Sequence, residues 1–87
     1  MKIEFDPEKD EENRRKHGIS LADFDGFDAD PEILSDERQD YREPRFRAFG
    51  RIDGKGHCLA FTMRDGAMRL ISFRRAHEKE MRRYERG

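Results

Sequence analysis

The fold is decided by Arg45-Phe-Arg-Ala-Phe-Gly-Arg-Ile52, Asp53-Gly-Lys-Gly56, His57-Cys-Leu-Ala-Phe-Thr-Met-Arg64, Asp65-Gly66 and Met68-Arg-Leu-Ile-Ser-Phe-Arg-Arg75. Three strand-like runs alternate with two short glycine-bearing turns. Gly54 and Gly56 offer the positive φ that a tight hairpin needs, and Asp65-Gly66 turns the chain again. Turns this close together predict an antiparallel meander. A helix over Ala76–Arg86 is predicted to follow it. Leu59, Phe61 and Met63 share one strand face, as do Ile71 and Phe73. Thr62, Arg64, Ser72 and Arg74 take the other. The pattern predicts an apolar side for the helices and a mixed side where small polar groups and arginines emerge.

The region before this stretch is shorter in its signals. Lys2-Ile-Glu-Phe5 reads as a strand. Asp6 then caps a helix that Pro7 opens and Gly18 closes. Acids fill its first turns and bases its last, as the helix dipole favours. No apolar residue lies between Glu8 and His17, so something polar must hold this helix to the domain. Lys9, Asn13 and Lys16/His17 share a face, and Asn13 bonded to backbone is the expected anchor. Ser20 and Asp23 form a capping box for a second short helix carrying Leu21, Phe24 and Phe27, which ends before Pro31. Glu32–Ser35 reads as a strand and 36–44 as a polar loop anchored by Tyr41.

The 87 residues suit one domain, residues 1–87, with a small core that a partner or dimer would support. Charge is uneven. Residues 1–44 carry 7 Lys+Arg against 15 Asp+Glu, and residues 45–87 carry 12 against 5. A basic half suits phosphate and an acidic half a basic partner, although the halves also suit each other. The single cysteine, Cys58, excludes an internal disulfide and reads as a small buried hydrophobe. No run is apolar enough for a signal peptide or membrane span, which points to the cytoplasm. His17, His57, His77 and Cys58 lack zinc-ligand spacing, so no metal and no cofactor are expected. No phosphate-cradling glycine loop is present.

What remains is a chemistry of cations. Arg64 and Arg74 end adjacent strands, with Arg51, Arg69 and Arg75 near them as RNA-binding candidates. Guanidinium matches phosphate bidentately and stays charged at any working pH. His17 closes its helix, where the dipole is expected to raise its pKa, and Lys16 precedes it. Arginine, lysine and histidine around a phosphate suit metal-free RNA cleavage, which needs a base, an acid and cations for the phosphorane.

Asp6-Pro-Glu-Lys9 with Asn13-Arg-Arg-Lys-His-Gly-Ile-Ser20 resembles the start of the BrnT toxins of bacterial type II toxin–antitoxin systems. The later elements, Arg45…Gly50, Thr62-Met-Arg64 and Arg69-Leu-Ile-Ser-Phe-Arg-Arg-Ala76 followed by Glu80 and Tyr84, resemble that family in order and spacing. The resemblance implies an α+β, RelE-like fold: a small antiparallel sheet with two N-terminal helices and one C-terminal helix. It implies a ribonuclease that halts translation by cutting RNA, neutralised by a BrnA-type antitoxin. The pair would be a dimer or heterotetramer that reaches operator DNA only through the antitoxin. Carried onto matching positions, it implies Lys16, His17, Arg64, Arg74 and Tyr84 as catalytic candidates, with Glu80 and Arg75 behind them. Two other readings stand beside it: a non-enzymatic module binding nucleic acid or an acidic partner, and an inactive relative that keeps only the antitoxin interface.

Overall fold

A computed structural model describes residues 2–85. Five strands, β1 (Lys2–Phe5), β2 (Glu32–Ser35), β3 (Phe46–Ile52), β4 (Lys55–Arg64) and β5 (Ala67–Arg75), form one sheet in the order β1-β5-β4-β3-β2. Two α-helices complete it, α1 (Pro7–His17) and α2 (Glu78–Tyr84). The expected meander β3-β4-β5 is present. Its hairpins turn on Asp53-Gly54 and Asp65-Gly66, with all four residues at positive φ, the mirror-type turn that matches strand twist. Gly56, expected in the first turn, instead lies within β4. A Cβ there would collide with Met81 of α2, so its role is to admit that side chain.

The expected fold class needs three corrections. First, the sheet is mixed, because β1 runs parallel to β5, pairing Lys2 with Ala67 and Phe5 with Leu70. A hairpin forces its two strands antiparallel, but none joins β1 to β5: β1 leads directly into α1. Second, one N-terminal α-helix forms, not two. The Ser20–Asp23 capping box is present, but it opens a single 3-10 turn over Leu21–Asp23. Phe24 is already extended at ψ 119. Leaving the helix lets the phenylalanines spread over the sheet. Phe24 sets edge-on against Phe73 (5.5 Å) and Phe27 (5.1 Å), and Phe27 covers Gly50. Third, the helices do not share one side. Leu21, Ala48, Leu59, Phe61, Leu70 and Phe73 form a core under α1, whereas Phe49, Cys58, Ala76 and Met81 form a second under α2. The last helix therefore lies on the arginine side. It starts at Glu78, not Ala76, and the expected end at Arg86 falls outside the described residues.

Helix α1 shows how a helix with no apolar residue is held. Its caps are as expected: Asp6 accepts from Glu8 N at 2.9 Å, and Gly18 at φ 72 donates to Arg14 O. Strand β1 stops opposite Leu70, so β5 beyond it has an open edge. Asn13 fills that edge. Its Oδ1 accepts from Phe73 N at 2.9 Å, and its Nδ2 donates to Phe73 O and to Ile19 O, both at 2.8 Å. A primary amide has one acceptor and two donor hydrogens, so it pairs as a peptide of a neighbouring strand does. Asn13 is 3% exposed, so these bonds form out of water, where losing one leaves a buried orphan.

On the far side, Asp36 orders the β2–β3 loop. It accepts from Arg38 Nε and Nη2 at 2.8 and 2.7 Å and from Tyr41 Oη at 3.3 Å. Tyr41 in turn lies under Arg45. The hydrogen bonds from Arg38 hold the Asp36 carboxyl down at about 2.

Asn13→Ala removes two buried hydrogen bonds and a part-buried one and is expected to cost about 2–4 kcal/mol in urea denaturation at pH 7. Asn13→Asp is expected to cost more, because its carboxylate faces two carbonyls and has no donor. A loss under 0.5 kcal/mol for both contradicts the anchoring role.

Candidate active site

The α2 face of the sheet is where the basic residues emerge. Arg74 leaves β5 opposite Cys58 of β4. Met81, fully buried, seats α2 against Gly56, Ala76 and Phe49. That seating brings Glu80 onto Arg74. The two pair bidentately at 2.9 and 2.8 Å, and Arg74 Nη1 also donates to Arg75 O. These bonds use three of its five N–H donors and leave two for a ligand. A hollow of about 610 Å³ opens beside the pair, lined by Arg74, His77, Lys79, Glu80, Arg83 and Tyr84. Tyr84 stacks on Phe49 at 4.4 Å and 15°, which fixes one ring face.

A second hollow, of about 250 Å³, lies between α1 and β5. Lys9, Glu12, Asn13, Lys16, His17, Ile71 and Ser72 line it. Both hollows lean on the C-terminal half of β5. His17 shares electrostatics with the first: partial desolvation and then the charges of Arg74 and Lys16 hold its pKa below the ordinary histidine value. This corrects the expected upward shift. The dipole at the helix end is shared with the bases of the last turn, and burial, then two nearby cations, act against it. The environment of His17 therefore favours the neutral imidazole. Lys16 is paired with Glu12 at 2.7 Å on the surface, an exchangeable contact.

The structure thus gathers Arg74, Glu80 and Tyr84 directly, and His17 with Lys16 across the β5 edge. The other candidates lie elsewhere. Arg64 ends β4 opposite Ala67, six residues from Cys58, which puts it about 20 Å from Arg74. Both end adjacent strands, but antiparallel strands end at opposite sides of a sheet. Arg64 pairs with Glu43 at 2.9 Å, and Arg69 with Glu4 at 3.4 Å. Arg51 is clamped by Glu78 and Glu85 at 3.0 and 2.9 Å, tying α2 to the first hairpin. Arg75 is exposed, and its Nε donates to Gly56 O. In these arginines the charged halves do partly neutralise each other.

Glu80 is held below the usual carboxylate range, first by its hydrogen bonds from Arg74, so it is a poor proton acceptor at neutral pH. Burial pushes the Cys58 thiol up, which makes it unreactive. Among the described residues, no three His, Cys, Asp or Glu side chains are arranged to hold a metal ion. No helix of the described residues is long and apolar enough to cross a membrane. Arg83, Arg38 and Arg47 were not singled out as site residues in the sequence, and His77 was weighed there only as a metal ligand. Arg47 alternates with Phe49 and Arg51 along β3, a parity that becomes informative once α2 is known to cover that face.

The family of BrnT ribonuclease toxins of type II toxin–antitoxin systems matches residues 5–80. The chain belongs to this family. Comparison with curated proteins gave no match. Membership in the BrnT family makes the chain one of a class of ribonuclease toxins that act with an antitoxin protein.

The geometry makes His17 an indicator of Arg74. Its ring, followed by NMR, is expected to titrate below 6.5, and Arg74→Gln is expected to move that midpoint upward. A midpoint unchanged by the substitution contradicts the shared site.

Proposed function

We propose that this BrnT toxin is a metal-independent endoribonuclease that cuts RNA by attack of the 2′-oxygen, and that translation stops as a result. The supporting observation is the Arg74–Glu80 fork, with two open donors, in one hollow with Tyr84 and within electrostatic reach of His17, whose pKa is lowered. Glu80 fixes the plane of Arg74, and the open edge of that guanidinium suits two oxygens of a phosphodiester. The His17 imidazole takes the proton of the 2′-hydroxyl. The 2′-oxygen bonds to phosphorus as the bond to the 5′-oxygen breaks, leaving a 2′,3′-cyclic phosphate. Lys16 offers the departing 5′-oxygen an ammonium proton. Arg74 and Lys16 offset the charge that gathers on the phosphorane. His17 thus acts as base rather than acid. Tyr84 presents a rigid ring on which a base stacks. Arg64, about 20 Å away, contacts the strand beyond the cut rather than the scissile phosphate.

The antitoxin we propose is BrnA-type and binds the toxin in a heterotetramer, with operator DNA contacted only by the antitoxin. The α1 face supports a protein partner. A groove of about 390 Å³ there includes Phe24, Phe27, Pro31, Ile33 and Met68, with Asp28 and Asp30 on its rim. Ile3, Ile33 and Met63 remain exposed. An apolar groove with an acidic rim suits a basic amphipathic segment.

The test is cleavage of purified RNA in EDTA. Wild type is expected to cut. Arg74→Ala is expected to lose about 10²–10³-fold in rate. Arg64→Ala is expected to keep its rate at saturating RNA and to bind RNA more weakly. A folded wild type that leaves RNA intact, or Arg74→Ala cutting at the wild-type rate, contradicts the reading. With His17 as base, the acid limb of the pH–rate profile is expected below pH 6.5.

A further inference from the structure

Strand β3 sends Arg47, Phe49 and Arg51 to the α2 face at alternate positions. Arg51 is held by two glutamates. Arg47 is not: none of the ion pairs among the described residues uses it. Its Nε is buried without a hydrogen-bond partner among the described residues. Its guanidinium lies 5.6 Å from the Phe49 ring and 5.5 Å from that of Tyr84. Aromatic faces attract a cation, yet they accept no directed N–H bond as an oxygen does. A buried donor of this kind marks a place where an acceptor is missing.

The register shows what lies in front of it. Arg47 stands opposite Ala60, which stands opposite Ser72. In the next row Phe49 stands opposite Cys58, and Cys58 opposite Arg74. Arg47 and Arg74 are therefore two strands apart, about 9.6 Å, and one repeat along, about 6.6 Å. Of the side chains between them, Ala60 and Ser72 are short and half-buried, and Cys58 is covered by α2. Two long arginines thus flank a low floor. Cys58 below lies in the field of Arg74, Arg47 and Arg38 together. Arg38 is neutralised by Asp36 and Arg74 by Glu80. Arg47, like Lys79 and Arg83 of the neighbouring hollow, keeps a charge that no ion pair among the described residues balances.

We propose that Arg47 is a substrate-binding residue, holding the RNA phosphodiester next to the one gripped by Arg74, with the intervening base on Tyr84. This rests on the ribonuclease reading above. With Nε turned inward, a phosphate oxygen would meet the terminal Nη groups of Arg47, and the phosphate charge offsets the unpaired cation. Tyr84 lies within 5.5 Å of Arg47, lines the hollow that Arg74 lines, and offers the base a ring stacked on Phe49, with Arg83 also over it.

The experiment measures affinity for a single-stranded 2′-deoxy oligonucleotide, which cannot be cut, across a salt series. Wild type, Arg47→Met, Arg47→Lys and Arg74→Ala are compared. Arg47→Met keeps the apolar stem over the rings and removes the charge, and circular dichroism checks that it is folded. Arg47→Met is expected to bind at least tenfold more weakly at low salt. The slope of log affinity against log salt is expected to fall by about 0.7, the loss of one phosphate contact on a single strand. Arg47→Lys is expected to keep the slope and lose part of the affinity. If folded Arg47→Met binds like wild type while Arg74→Ala does not, Arg47 is only packing and the ribonuclease reading stands. If wild type neither binds the oligonucleotide nor cuts RNA, that reading fails and the Arg47 assignment fails with it.

Discussion

One side-chain amide does the work of a sixth strand. Asn13 pairs with both backbone groups of Phe73 and with the carbonyl of Ile19. Those bonds close the edge of β5 that β1 leaves open and seat a helix with no hydrophobic side chain of its own. Eleven residues of this composition would not stay helical alone. The consequence reaches the site. The face of α1 that carries Asn13 also carries Lys16 and His17 one turn on, so the bond that anchors the helix also sets His17 within electrostatic reach of Arg74.

The opposite face is set by packing rather than by a polar bond. Met81 enters the space that Gly56 leaves open, and Tyr84 stacks on Phe49. Glu80, on the same helix, is then carried onto Arg74. A sheet face rich in arginine would repel itself without acids. Glu43, Glu4, Glu78 and Glu85 neutralise the arginines that do not face the hollow, and the arginines at the hollow keep open donors. The site is defined as much by which cations are paired away as by which remain.

Much of this was legible in the sequence. The three strands, the caps of α1, the Ser20–Asp23 box and a backbone-bonded Asn13 follow from spacing and residue type. The parallel β1 was not legible, since strand direction at an edge depends on where the following helix crosses. The 3-10 turn replaced a helix because Phe24 and Phe27 gain more by spreading over Phe73 and Gly50 than by stacking on one helical side. Arg64 and Arg74 both read as strand-end arginines, and only the register separates them. The lowered His17 pKa could not be read from a helix terminus alone, because its causes come from burial and from Arg74, distant in sequence. Arg47 looked like one charge among many until its missing partner could be seen.

The proposed site spans both sides of β5, with the α1 end and the α2 face acting on one substrate. Backbone amide shifts on titration with an uncleavable 2′-O-methyl RNA test it most directly. The account predicts that Lys16 and His17 move together with Arg74, His77 and Tyr84 along one binding curve. Shifts confined to Arg64, Arg69 and their neighbours at the far end of the sheet would contradict it.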